Sequence, residues 1–375
     1  MSTDAVLAIN PGSRSLKAAV HDDGGKRLLD LHIARPVDDA GEAIRDLADQ
    51  VRAQGVQLIA VAHRVVHGGP RHGHPERVDD ALLDSLRELV PFAPLHLPGD
   101  VDSIVAAREQ WPTLPHVACF DTAFHATLPD VARRLPLPDD VADLGVRRYG
   151  FHGLSVQHAV DTVPSLGRAV IAHLGGGCSV TAVAGNRSVQ TSMTFSPTGG
   201  IPSVTRTGDL DPEVLLFLLD RGWTLADLRH LVDHRSGLAG ISGGHTDVRE
   251  ISSKAATGDR ACQLALDVFT LAIATTVAGY TAVLGGLDTL VFTGGVGEHS
   301  AAVRSAIAYR LAHLGVTIDD SATAPGEVSA AGAAVRTMVV AADEEIVMDA
   351  LTRRMLALGR GAVSAEQDGK LSSTS

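Results

Sequence analysis

The sequence predicts an α/β protein of two domains related by duplication. Three observations carry that expectation: a strand, glycine turn and strand unit that occurs twice, amphipathic stretches alternating with short apolar strands, and a hydrophobic content of 45% in 375 residues, enough for more than one core. The first unit runs Ala5–Asn10, turns at Pro11–Ser15 and returns along Leu16–Val20. The second runs Ala169–Leu174, turns at Gly175–Gly177 and returns along Cys178–Val183. Each reads as a β-hairpin whose first turn lines up backbone N–H groups, with small hydroxyls behind them, where an anion can sit. Two such hairpins facing each other would grip one polyphosphate from both sides.

Between the hairpins, Ala40–Gln54 and Asp79–Leu89 repeat apolar residues at helical spacing, while Gln57–Ala62 and Pro115–Phe120 read as short buried strands. After the second hairpin, Pro212–Asp220 reads as a helix. The Ala-rich segment Ala261–Leu284 is apolar nearly all round, which predicts a helix buried between layers. Thr289–Thr293 is a strand running into Gly294–Gly297, with a helix expected from about Ser300, an order that suits phosphate binding. The tail, Ala362–Ser375, is polar and without periodicity, and is expected to be mobile.

Charge and motif content narrow the chemistry. Lys and Arg total 32 against 44 Asp and Glu, a net charge of −12, which argues against nucleic acid or an anionic membrane as the main partner. A bound anion must be held by a local site. No basic and apolar leader opens the chain, and no unbroken apolar run approaches ~18 residues, so the expectation is a cytoplasmic protein with no membrane span. Cys119, Cys178 and Cys262 form no CxxC pair, which fits a reducing compartment and gives no thiolate metal site. GxxxxGK[ST], HExxH and a complete GxGxxG after a strand do not occur. What is left is a phosphate site assembled from scattered loops: Asn10, Ser13, Ser15 and Lys17, then Gly175–Gly177, then Gly294–Gly297.

Six segments then become specific: LAINPGSRSLK at Leu7–Lys17, AHRVVHGG at Ala62–Gly69, FDTAFH at Phe120–His125, RYGFHG at Arg148–Gly153, TRTGDLDP at Thr205–Pro212 and FTGGVGE at Phe292–Glu298. In this order, and over nearly the whole chain, they resemble the acetate kinase family of the actin and sugar-kinase superfamily. The resemblance implies two ribonuclease H-like domains with the active site in the cleft between them. The first domain is expected at residues 1–125, completed by 347–375, and the second at 126–346. It also implies Mg²⁺- or Mn²⁺-dependent transfer of the ATP γ-phosphoryl to acetate, giving acetyl phosphate and ADP, and a homodimer formed through the second domain.

Transfer of a phosphoryl group asks a protein for positioning and charge neutralisation, so arginines are the first residues to seek. Arg64 is expected directly after the strand Gln57–Ala62, and Arg206 lies in a loop rich in Gly, Ser and Thr; their planar forks suit carboxylate and phosphoryl oxygens. The resemblance puts Arg64 on the substrate carboxylate and transferring group, Arg206 on the transition state, and His152 as a hydrogen-bond donor to the phosphoryl oxygens. Asp121, at the carboxyl end of an apolar strand, is the catalytic aspartate by resemblance; a carboxylate acceptor has no proton to lose, so its expected work is to orient an arginine and hold Mg²⁺ through water. Asn10 and Glu344 match the metal-linked pair, with Glu345 the adjacent competitor, and Lys17 is a point charge near the phosphates.

Three segments match the ATP contacts of the family: His173, Leu174, Gly175, Gly176 and Gly177; Asp247, Val248 and Arg249; and Gly295, Val296, Gly297, Glu298 and His299. By motif position, Val66, Leu95, Phe151 and Pro197 wall a small acyl pocket that favours acetate over longer chains. His63, His67, His96 and His125 are expected to support these groups. The chain departs from the family pattern at Gly176, Val204 and Val156. These departures leave the phosphate donor open between ATP, another nucleotide and pyrophosphate. Two other readings stand beside the first, a propionate or other short-chain fatty acid kinase and a non-catalytic actin-like ATP-binding protein.

Overall fold

The computed structural model describes residues 4–12, 15–34 and 40–358. Ser13 and the tail from Ala362 lie outside the described residues. Two six-stranded mixed sheets organise the chain. The first contains β1 (Ala5–Pro11), β2 (Leu16–His21), β3 (Arg27–Ile33), β4 (Leu58–Val65), β5 (Glu76–Arg77) and β6 (His116–Phe120) in the order β3-β2-β1-β4-β6-β5. The second contains β7 (Ala169–Leu174), β8 (Cys178–Ala184), β9 (Arg187–Thr191), β10 (Thr289–Thr293), β11 (Gly326–Glu327) and β12 (Arg336–Val339) in the order β9-β8-β7-β10-β12-β11. The orders correspond strand for strand. So do the directions: antiparallel hairpins at β1–β2–β3 and β7–β8–β9, parallel neighbours at β1–β4–β6 and β7–β10–β12, and an antiparallel edge strand on each.

The central strands are buried on both faces, so they read as continuous apolar runs. One face of the first sheet packs on Ile44, Leu47 and Val51 of the helix Ala40–Ala53. The other face, with Val6, Ala8, Ala60, Ala62, Val117 and Cys119, packs on Val347 and Met348 of the C-terminal helix Glu344–Met355. The second sheet is covered on one face by the helices Arg260–Leu284 and Ala301–Leu311, and on the other by Val156, Ala159 and Val160 of the helix Gly153–Thr162. That last helix also meets the C-terminal helix through Leu154, so the two form a layer between the sheets. Val156 is fully enclosed there and belongs to the core.

Three local expectations are corrected. β4 runs on to Val65 because Arg64 and Val65 continue the parallel pairing with Cys119 and Phe120, so Arg64 lies within the strand instead of after it. Gly294–Gly297 is not an open turn: it is the start of a short helix, Gly294–His299, with a second helix following from Ala301. Gly294 has φ 77°, and a Cβ there would lie 2.8 Å from the Leu174 carbonyl oxygen, so the chain enters the helix by a tight corner only glycine fits. The helix Arg260–Leu284 is buried along one stripe, Cys262, Ala265, Phe269 and Ile273, while Leu264, Val268 and Leu271 are exposed on the other.

Candidate active site

The pleat of β4 places His63 and Arg64 on opposite faces of the first sheet. His63 pairs with His116 on β6 at 2.9 Å. Arg64 points the other way and is held at three places: Nε and Nη2 donate to Asp121 Oδ2 at 3.0 and 2.5 Å, and Nη1 donates to the Pro11 carbonyl at 3.1 Å. Asp121 is fixed at the end of β6 by its own N–H, which donates to the Val65 carbonyl. Its other oxygen, Oδ1, is buried and meets no protein donor among the described residues. Burial pushes the Asp121 carboxyl up; Arg64 opposes this and Glu344 adds to it. Burial also disfavours the charge on Arg64, but Asp121, Asp100 and Glu344 more than offset it, and the guanidinium stays ionised.

The second domain supplies the facing groups. Arg206 donates from Nη1 to the Pro197 carbonyl at 3.3 Å and from Nη2 to His96 Nε2 at 2.9 Å. His96 must be neutral to accept, and burial with the charges of Arg206 and Arg64 pushes it down to about 3. His152 takes a left-handed conformation, φ 57°, ahead of the helix Gly153–Thr162, and the Gly153 N–H ties that corner to the Asp121 carbonyl at 2.8 Å. His152 Nδ1 meets Ser179 Oγ at 3.0 Å, and its ring stacks on His173 with centroids 4.1 Å apart. Burial, then His173, Arg64 and Arg206, hold His152 well below the usual histidine range. A Cβ on Gly177 would lie 3.2 Å from both His152 Nε2 and Arg206 Nη1, so these two donors aim at one place.

Arg64, Asp121, His152 and Arg206 thus share one cavity of about 860 Å³. Its wall also holds Ser15, Gly176, Gly177 and all four expected acyl contacts, Val66, Leu95, Phe151 and Pro197. A second concavity, of about 630 Å³, borders Arg77, Arg87 and Arg108 at the outer edge of the first sheet, away from these groups.

Beside the cavity, Asn10 Nδ2 donates to Glu344 and Glu345 at 2.9 and 2.8 Å, joining the first hairpin to the start of the C-terminal helix. Among the described residues no three His, Cys, Asp or Glu side chains cluster as a metal cage. Mg²⁺ does not need one, since it keeps most of its waters and takes one or two carboxylates. The free Asp121 Oδ1, with Glu344 close enough to disfavour its ionisation, is a hard-oxygen donor set that fits such an ion.

The other expected nucleotide contacts sit apart from the cavity wall. His173 is turned into the protein, its Nδ1 on Ser155 Oγ at 2.8 Å, and Leu174 is core. Asp247 caps the helix Val248–Ala256 and pairs with Arg249 at 2.7 Å on the surface, while Val248 is buried; Thr246, next to them, does line the cavity. Glu298 accepts from the Ala342 N–H, and the Gly297 and Glu298 carbonyls accept from Arg304. Gly175 follows β7 and Gly295–His299 follow the adjacent β10, so both segments lie at one end of the second sheet.

Of the supporting histidines, His125 donates from Nε2 to the Phe151 carbonyl at 3.0 Å and accepts from Ser188, while His67 packs among Phe92, Tyr149 and Phe151. Both brace the corner that presents His152. Sequence reasoning missed Ser179, Asp100, Asp233 and His234. Ser179 lies two residues past the Gly175–Gly177 turn, where strand alternation gave a signal; the others sit in segments without a motif.

The family model described as "Acetokinase family" matches residues 24–350. An acetate kinase of Pseudarthrobacter chlorophenolicus is 40% identical, covering 95% of this chain and 100% of that protein. An acetate kinase of Deinococcus deserti is 44% identical over 81% of this chain and 80% of the relative. Among solved structures, a propionate kinase from Francisella tularensis superposes with a TM-score of 0.85 at 30% identity, covering 93% of this chain and 98% of that one. Matched along nearly its full length, with its charged cleft residues in one cavity between two duplicated domains, the chain belongs to the acetokinase family.

Proposed function

We propose that this chain is an ATP:acetate phosphotransferase, and that the observation carrying this reading is the convergence of Arg206 and His152 on the space in front of Gly177, in a cavity that Arg64 also lines. Arg64, with Nε and Nη2 on Asp121 and Nη1 on the Pro11 carbonyl, has one further N–H on each of Nη1 and Nη2 for the acceptor carboxylate. An oxygen of that carboxylate attacks the γ-phosphorus. The bond from phosphorus to the β,γ-bridging oxygen breaks, and its electron pair leaves with ADP, so no proton needs to move. Arg206 and the His152 Nε2–H meet the equatorial oxygens as their charge develops. The role requires the His152 tautomer with its proton on Nε2, in which Nδ1 accepts from the Ser179 hydroxyl 3.0 Å away.

Asp121 aligns Arg64 and, with Glu344 and Asn10, would hold Mg²⁺ through its waters. The ion, when bound, neutralises phosphate charge. Val66, Leu95, Phe151 and Pro197 enclose the methyl group. Propionate is the second reading, favoured by the propionate kinase among the similar structures; one methylene alters binding by only ~1–3 kcal/mol, so both acids fit one pocket with different efficiency. The chain is further read as a cytoplasmic homodimer with no nucleic-acid or membrane partner. Its exposed stripe Leu264, Val268 and Leu271 is the surface that supports self-association.

The test is a hydroxylamine trap for acyl phosphate across two-, three- and four-carbon acids with ATP and Mg²⁺, other nucleotides and pyrophosphate. Acetohydroxamate formed with ATP, at higher kcat/KM than the propionate product, is the expected result. A protein that binds ATP normally yet forms no hydroxamate from any acid would be the non-catalytic alternative.

A further inference from the structure

The acyl pocket is not wholly apolar. Asp100, in the first turn of the helix Leu97–Gln110, is 2% exposed and lines the same cavity as Val66, Leu95, Phe151 and Pro197. Its Oδ2 accepts the Val66 N–H at 2.8 Å, which pins the side chain against the strand that carries Arg64. Its Oδ1 has no hydrogen-bond partner among the described residues. A pocket meant only for a methyl group gains nothing from a carboxyl in its wall, because burial disfavours the charged form of that group.

We propose that Asp100 reads a hydroxyl on the acceptor, so that the enzyme phosphorylates short 2-hydroxy acids, glycolate first, in addition to acetate. The inference rests on the acceptor reading above, in which Arg64 holds the carboxylate. Arg64, Val66 and Asp100 line one cavity, and Asp100 is the side chain hydrogen-bonded to Val66 that is also close enough to Arg64 to affect its charge. An α-hydroxyl placed there meets Oδ1. The groups facing Asp100 are Arg64 from β4, Asp121 from the end of β6 and the Val66 N–H. Burial, opposed by Arg64, lifts the Asp100 carboxyl to about 7, so near neutrality much of it is uncharged. An uncharged carboxyl does not repel the acceptor carboxylate and can donate to a hydroxyl or accept from one. The transfer is the same as for acetate: a glycolate carboxylate oxygen bonds to the γ-phosphorus, the bond to the bridging oxygen breaks, ADP leaves with the electron pair, and glycolyl phosphate forms with no proton transferred.

The experiment compares kcat/KM for acetate, propionate and glycolate, by chromatography of the trapped hydroxamates, in the wild type, Asp100→Asn and Asp100→Leu. The wild type is expected to use glycolate within about tenfold of acetate, and Asp100→Leu to lose at least about thirtyfold more on glycolate than on acetate, mainly through KM. Asp100→Asn, which still accepts from Val66 and still bonds a hydroxyl, should retain glycolate use and serves if the leucine variant does not fold. Acetate turnover without glycolate turnover in the wild type would overturn the inference and leave the acetate reading intact. Equal losses on both acids in Asp100→Leu would make Asp100 a structural residue and overturn it too. No product from any of the three acids would overturn the acceptor reading itself.

Discussion

Arg64 shows how much a single side chain in this cleft depends on its fork. Two of its nitrogens lie on one Asp121 oxygen and the third on a backbone carbonyl, a pattern a point charge cannot reproduce. Arg64→Ala is expected to lower kcat/KM for acetate by about 10³-fold or more, and Arg64→Lys to stay at least about 10²-fold down, measured in the hydroxamate assay. His125 carries a stability prediction. Burial holds it down at about 4, against about 6.5 in an unfolded chain. Between those values the unfolded state binds the extra proton, so stability is complete above about pH 6.5 and falls as the pH drops toward 4, by on the order of 3 kcal/mol for this ring. Urea unfolding at pH 7 and pH 5 should show about 2 kcal/mol of that loss, and His125→Gln should lessen it. The charges that meet in the cavity were legible as a group because each sits in a motif. Asp100 was not, because its standing depends on burial and on the Val66 N–H, neither of which leaves a local pattern in the sequence.

At the scale of the element, both glycine turns were readable, but the end of each neighbouring element was not. The length of β4 is set by β6, a partner 50 or so residues away, and the corner at Gly294 by the Leu174 backbone of β7. Hydrophobic periodicity carries no information about either contact. The middle turn has a sharper consequence. A methyl group at Gly177 would press on Arg206 Nη1 and His152 Nε2 together. Gly177→Ala should therefore cut kcat by about tenfold or more while leaving the melting temperature nearly unchanged, a split that kinetics and calorimetry read separately. By contrast, a Cβ at Gly176 meets nothing within 4 Å, so Gly176→Ala serves as the matched control and should retain most activity.

At the scale of the whole molecule, the duplication was legible from two hairpins alone, since their repeat implied the repeat of the sheets behind them. The outer stripe of the helix Arg260–Leu284 was read as buried because composition cannot say which side of an apolar helix meets its own chain. Leu264, Val268 and Leu271, spaced four and three apart, leave an apolar strip on the outside. Leu271→Glu together with Val268→Glu is expected to convert a dimer into a monomer in sedimentation velocity, with the cleft residues untouched.

The junction of Asn10 with Glu344 and Glu345 spans more than 330 positions. During synthesis, then, the hairpin of β1 and β2 waits for residues 344 and 345 before its carboxylate neighbours arrive. Until they do, Val6, Ala8, Ala60 and Ala62 lack the cover of Val347 and Met348. A chain cut before position 344 is therefore expected to bind chaperone more than the 375-residue chain does, and capture of the nascent chain should persist until the helix Glu344–Met355 emerges from the exit tunnel.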